Sequence, residues 1–268
     1  QGAGDMSAGR QRWKSNLLPP LLLLVVTLLA WQLLVWLLDV KPYVLPAPGS
    51  VARAAIREYR DLLAAVWLTG KAAGLGLLIS ICLGTVTALL FSQSQLIRRS
   101  FYPYAIALQT VPIVAIAPLI VIWFEEGFHS VVLVTVIISL FPVITAVTTG
   151  LTSIDQGQFD LFTLNRASRW QLLFKLRVPS AVPYLVTGAR TAAGLAVVGA
   201  IVGEFFVSHS LTHRGLGYFI QFSVPNLKVD LLICCVLCAT LLGVLMFAAV
   251  SLAGRYLLDR WTAEMEQH

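Results

Sequence analysis

Charge is what this 268-residue chain has least of. Only 12% of its residues are Asp, Glu, Lys or Arg, against 58% hydrophobic, whereas a soluble domain carries about 25% charged residues. A water-facing surface cannot be made from so few, so lipid must solvate most of the chain. Histidine is also scarce, at four residues, and so is cysteine, also at four. Cys82, Cys234, Cys235 and Cys238 all lie in apolar runs. Cys235 and Cys238 have C-x-x-C spacing, but no second ligand pair accompanies them, so they read as small buried apolar residues. His209 and His213 stand four apart, with nothing nearby to complete a metal site, and read as polar loop residues.

The sequence also lacks the groups that enzymes use. A phosphate-binding loop needs G-x-x-x-x-G-K-[ST]. The nearest approach is Gly70-Lys71, with Ala72 after it and Ala65 where the first glycine belongs. There is no Ser/His/Asp constellation and no dinucleotide loop, so the chain itself is not expected to be an enzyme or to bind a cofactor. No small-residue cleavage site follows the first apolar run, which argues against a removable signal peptide. The five residues before Met6 have the look of a cloning remainder and are set outside the fold.

What the chain has is apolar length. About 20 apolar residues cross roughly 30 Å of hydrocarbon, and six stretches qualify: 17–38, 64–91, 101–124, 129–150, 181–207 and 229–257. They predict an all-α polytopic membrane bundle of six spans over 17–258, with short tails at 1–16 and 259–268. Pro103, Pro112 and Pro118 in the third stretch and Pro142 in the fourth predict kinked or broken helices. The net charge of +6 would suggest nucleic acid in a soluble protein. Here the basic residues sit between apolar runs without aromatic interleaving, so topology explains them and no nucleic-acid partner is expected.

Six spans put both termini on one side. The loops on that side, including 92–100 and 151–180, hold 11 Lys and Arg, and the opposite loops hold six. Positive-inside bias therefore predicts cytoplasmic termini and a cytoplasmic 151–180 segment. That segment is the longest connection on its side and amphipathic in pattern. Phe159, Phe162, Arg166 and Trp170 mark one stripe, which predicts a helix over 155–170. Two readings of it stand: a partner-binding element, or an interfacial helix anchoring the bundle. Pro179 and Pro183 are expected to reset the chain before the fifth span.

From Asp160 to Arg190 the chain resembles the cytoplasmic loop of binding-protein-dependent ABC importer permeases. That loop carries E-A-A-x-x-x-G, then Ala-Ser, then Leu-Pro before the next span. Asp160 falls on the acidic position, Ala167-Ser168 on the Ala-Ser and Val178-Pro179 on the Leu-Pro. Further fragments are similar to the branch for nitrate, sulfonate, taurine, bicarbonate and thiamine precursors. They are Leu45-Pro46-Ala47-Pro48, Val111-Pro112-Ile113-Val114-Ala115, Pro118-Leu119, Trp123-Phe124, Phe141-Pro142, Gly203-Glu204-Phe205 and Gly215-Leu216-Gly217-Tyr218. The signature's two alanines fall on Leu161 and Phe162, and two further departures stand at glycine positions. The signature glycine falls on Arg166, which should widen or re-charge the contact there, and the usual Phe-Gly-x-Gly after the third span is Phe124-Glu125-Glu126-Gly127.

The resemblance implies a permease subunit in the cytoplasmic (inner) membrane, paired with a second copy, working with separate ABC ATPase subunits and an extracytoplasmic substrate-binding protein. ATP and Mg would be held by the ATPase subunits. Its cargo would be a small anion or small organic nutrient, moved by alternating access. Asp160, Phe162, Leu164, Arg166, Ala167, Ser168 and Pro179 are then the ATPase-coupling residues. Glu204, with Pro112 and Pro118, is a pathway or gate candidate, although Glu204 reads equally as a paired interfacial carboxylate. Gly194, Gly199 and Gly203 offer a close-packing face either to the second copy or within the chain. Glu125 and Glu126 read as a solvated turn or as a docking point for the binding protein. A secondary transporter or channel using Lys71, Arg190 and Glu204 as an ion relay is the alternative.

Overall fold

The computed structural model describes residues 5–207 and 214–265, and its regular elements are all helices. In chain order they are α1 (Asp5–Leu37), α2 (Pro48–Arg57), α3 (Tyr59–Gln93), α4 (Gln95–Thr110), α5 (Ile113–Phe124), α6 (Phe128–Thr152), α7 (Gln156–Leu164), α8 (Arg169–Leu172), a π-helical turn (Leu173–Arg177), α9 (Val178–Val207), α10 (Leu216–Ser223) and α11 (Val229–Met265). Among the described residues five helical stretches are long and apolar enough to cross a membrane: Leu18–Leu37, Tyr59–Gln93, Phe128–Thr152, Arg169–Val207 and Val229–Asp259. His209 and His213 lie outside the described residues.

The prolines divide into those that break a helix and those that do not. The expected third span, 101–124, is two helices, α4 and α5, parted at Val111-Pro112 with Pro112 as the N-cap of α5. Pro103 and Pro118 sit inside these helices, and Pro142 does not interrupt the 25-residue α6. Nor do Pro179 and Pro183 reset the chain. A proline cannot donate to the carbonyl four residues back, and the helix absorbs this in a π turn, where Val178 N–H reaches Leu173 O. α8, the π turn and α9 therefore run as one helical stretch, Arg169–Val207.

The chain forms two compact units. The first takes residues up to 59 together with 222–234. In it α1 exposes a leucine- and valine-rich surface suited to lipid, and α2 buries Val51 and Ala54. The Cys234 thiol donates to Val51 O at 3.2 Å, and Arg57 lies 3.8 Å from Asp230.

The second unit takes 60–221 and the chain from 235. Its core packs α3, α6 and α9 around alanine and valine, among them Ala72, Ala73, Val143, Ala192, Ala196 and Ala200. Small residues let the helix axes approach closely, which supplies dispersion contact where lipid removes the hydrophobic driving force. A methyl group added at Gly199 would lie 2.8 Å from Thr135 Cα, and at Gly203 3.0 Å from Val131 Cα. Between α3 and α6, the Ser80 and Ser139 hydroxyls meet at 2.8 Å.

Candidate functional site

The segment after α6 is built from local capping rules. Asp155 caps α7 by accepting Gly157 N–H at 2.8 Å. The helix ends at Leu164 because the backbone turns left-handed at Arg166, with φ 52. There Ala167 N–H donates to Phe162 O and Arg166 N–H to Thr163 O, both at 3.0 Å. This is the Schellman closure, in which the left-handed residue is usually glycine. Ser168 then starts α8 with a reciprocal capping box: its hydroxyl accepts Gln171 N–H at 3.3 Å, and its own N–H donates to Gln171 Oε1 at 2.8 Å. The helix expected over 155–170 is therefore two helices with a tight turn between them.

That geometry assigns several sequence-picked residues. Asp160 is exposed and accepts from Gln156 Nε2 at 3.0 Å. Phe162 is half-buried, facing a cleft of about 520 Å³ that Lys175, Leu176, Pro179 and Pro183 also line. Leu164 is 81% exposed. Arg166 is exposed and stands at a left-handed backbone position, where glycine is the usual residue. Beside them the exposed Leu161 and Trp170 enlarge the apolar surface, and Trp170 stacks on Phe174 with centroids 5.9 Å apart. Sequence reasoning set Leu161 and Trp170 in the pattern but not among the anchors.

The membrane part of the second unit holds a cavity of about 380 Å³ at the α4–α5 break. Gln109 and Val111 lie on one side, and Ile137, Phe141, Leu195 and Val198 of α6 and α9 on the other. Pro112 positions this site by ending α4 and starting α5, and Pro118 lies further along α5. Gln109 is the one polar side chain among the residues that line it.

Glu204 is placed elsewhere. It is 5% exposed, and its carboxylate accepts from Thr69 Oγ1 at 2.8 Å and from Gly217 N–H at 2.7 Å. Leu216 N–H donates in turn to Thr69 Oγ1 at 2.9 Å. A carboxylate and a hydroxyl thus satisfy the orphan amides at the start of α10. No Cβ fits at Gly215 or Gly217 without striking Glu204. Of the two readings of Glu204, the paired carboxylate is the one this geometry carries. Thr69 and the two glycines were the missed partners. The glycine pair in Gly215-Leu216-Gly217 was the only hint.

The remaining candidates separate as well. Gly199 and Gly203 are taken up by α6 of the same chain, while Gly194 is exposed with nothing near it. Of the two readings of these glycines, packing within the chain is the one the geometry carries at Gly199 and Gly203. Glu125 and Glu126 are exposed in the turn after α5, and Glu125 has φ 67 and ψ 163, a region essentially confined to glycine. Ser130 Oγ donates to Glu125 O at 2.6 Å, and the His129 ring bonds Phe124 O, so side chains of α6 hold this turn. Lys71 Nζ sits 5.0 Å from the Trp67 ring centroid. Arg190 Nε is buried without a hydrogen-bond partner among the described residues.

Residues 80–263 match the family described as the binding-protein-dependent transport system inner membrane component. The formylaminopyrimidine transport permease protein of Halalkalibacterium halodurans is 34% identical, covering 90% of this chain and 95% of its own length. A probable ABC transporter permease protein of Haemophilus influenzae is 35% identical over 82% of this chain and 88% of its own. The riboflavin transport system permease protein of Chloroflexus aurantiacus is 30% identical over 96% and 94%.

Proposed function

The chain belongs to the binding-protein-dependent transport system inner membrane components, and on that premise we propose how its geometry serves an ATP-driven importer. It is a multi-pass inner-membrane permease rather than an enzyme. The five long apolar helices and the divided α4–α5 hairpin arm make six crossings. The excess of basic residues puts both termini and the α7–α8 segment in the cytoplasm. ATP and Mg belong to separate ATPase subunits, and two copies of this chain enclose the pathway.

The observation that carries the coupling role is the exposed apolar surface of α7 and α8, held by three capping motifs. Leu164, Leu161 and Trp170 face outward, and a rigid, capped helix is what a lever between ATPase and bundle requires. α8 continues unbroken into α9, so a push on the turn at Arg166 reaches the membrane directly. Phe162 and Pro179 join α7 to the root of that lever. At the opposite end Glu125 and Glu126 form the docking point for the binding protein, and exchanging both for glutamine lowers its stimulation of ATP hydrolysis. The relatives' named cargoes, formylaminopyrimidine and riboflavin, are small organic nutrients. The largely apolar cavity with its single amide at Gln109 suits that class better than a small anion.

Truncating a well-buried anchor in an interface commonly loses about 2 kcal/mol or more, over tenfold in affinity. Leu164→Ala should therefore reduce co-purification of the ATPase by at least about tenfold while the bundle stays folded, since Leu164 packs on little of its own chain. Arg166→Glu should weaken the same association in a salt-dependent way. Full ATPase association by both variants contradicts the coupling role.

A further inference from the structure

We infer that the cleft between the end of α3 and the root of the α8–α9 helix binds a phosphate-bearing anion, the headgroup of an anionic phospholipid. The cleft measures about 400 Å³ and is lined by Gln93, Ser94, Arg169, Leu172, Leu173 and Arg177. It rests on the membrane-spanning character of the chain and not on the ATPase-coupling role.

Among the donor side chains that line it are Arg169, Arg177 and Ser94. Arg177 Nη1 donates to Ser92 O at 2.8 Å, which fixes the guanidinium against the end of α3. Its Nε is buried and has no hydrogen-bond partner among the described residues, so the protein meets the guanidinium's charge only in part. Arg169 is exposed, with no carboxylate at ion-pair distance among the described residues. Ser94 Oγ accepts Leu96 N–H at 3.2 Å and Ile97 N–H at 3.5 Å, so its own proton is left to donate. Those bonds also place the N-terminus of the 16-residue α4, whose dipole favours an anion, at the cleft.

The surroundings select a lipid among anions. α3 and the α8–α9 stretch are both candidate spans, and the cleft lies where one ends and the other begins. Close to these residues in the chain stand Phe174, 61% exposed, and Leu96, 76% exposed. Cationic and aromatic groups over an apolar surface are the usual composition of a membrane interface, and basic pockets between spans on the cytoplasmic side take lipid headgroups. An acidic side chain of a docked protein would use the arginines but leave Leu96 bare.

The test uses the full chain, purified in neutral detergent and offered phosphatidylglycerol or phosphatidylcholine, with bound lipid counted by native mass spectrometry. Wild type should retain phosphatidylglycerol in preference to phosphatidylcholine. Arg169→Gln, which touches no fold contact, should lower that retention about fivefold. Arg177→Lys keeps the charge but loses Nε and should also lower it. Arg53→Gln, on α2 in the other unit, should not. Equal retention of the two lipids by wild type, or retention unchanged by Arg169→Gln, overturns the proposal. Displacement of the lipid by millimolar inorganic phosphate would assign the site to the free ion instead. Expulsion of the lipid when the ATPase binds, with Arg169→Gln weakening that binding, would assign it to the protein partner.

Discussion

Replacing Arg166 by glycine should tighten the turn that ends α7. The residue stands at φ 52, where an L-residue with a Cβ is disfavoured by about 1–2 kcal/mol. Glycine removes that strain but adds freedom to the open state, worth about 0.5–1 kcal/mol. The net gain lies between about 0 and 1.5 kcal/mol, centred near about 0.75 kcal/mol, or about three- to fourfold in the local opening equilibrium. Two amides report it directly: Ala167 N–H, bonded to Phe162 O, and Arg166 N–H, bonded to Thr163 O. Native-state hydrogen exchange should slow by that factor at Ala167 and at the substituted position. Arg166→Ala separates strain from charge, since alanine loses the guanidinium and keeps the Cβ. It should show no such slowing. If glycine leaves exchange unchanged or faster, or alanine slows it equally, the left-handed turn is not what position 166 requires.

Two other outcomes follow from the same structure. Thr69→Val removes both bonds of a buried hydroxyl, leaving Leu216 N–H and one Glu204 oxygen without partners, at about 1–3 kcal/mol for each. The variant should melt earlier in detergent and exchange faster at residues 216–217, and an unchanged melt would show that this node does not hold α10. A cysteine introduced by Gln158→Cys, on exposed α7, should resist an impermeant thiol reagent added outside intact cells, and labelling from outside would reverse the orientation.

The membrane class was legible because it rests on composition, and the apolar runs gave their helices because length and hydropathy are local properties. The prolines were harder to read. Pro112 breaks a helix and Pro142 does not, and Pro179 is absorbed by a π turn. A proline's effect depends on whether the carbonyl it leaves unpaired finds another donor, which is decided by neighbours in space. The segment over 155–170 looked like one helix because its apolar spacing continues through the turn. The signals that stop it, Arg166 at the left-handed position and the Ser168-to-Gln171 capping box, were present but weak against that spacing.

The two glycine departures from the family pattern are instructive together. Arg166 and Glu125 stand where the resembling family has glycine, and both have positive φ. At both positions the backbone holds a conformation that glycine adopts without strain. Residue comparison alone shows the substitution but not the dihedral beneath it. Glu204 illustrates the opposite case. Thr69 lies 135 positions away in sequence, so nothing local could pair them, and from sequence the pathway and paired-carboxylate readings stood level.

Uptake by proteoliposomes holding this chain and an ATPase subunit tests the central claim most directly. Formylaminopyrimidine and riboflavin serve as probes, with the binding protein outside and ATP or its non-hydrolysable analogue enclosed. The importer account predicts accumulation of one of the probes only with hydrolysable ATP and the binding protein together, and none from an imposed ion gradient. Accumulation driven by an ion gradient, with no ATPase in the membrane, would contradict it and establish a secondary transporter.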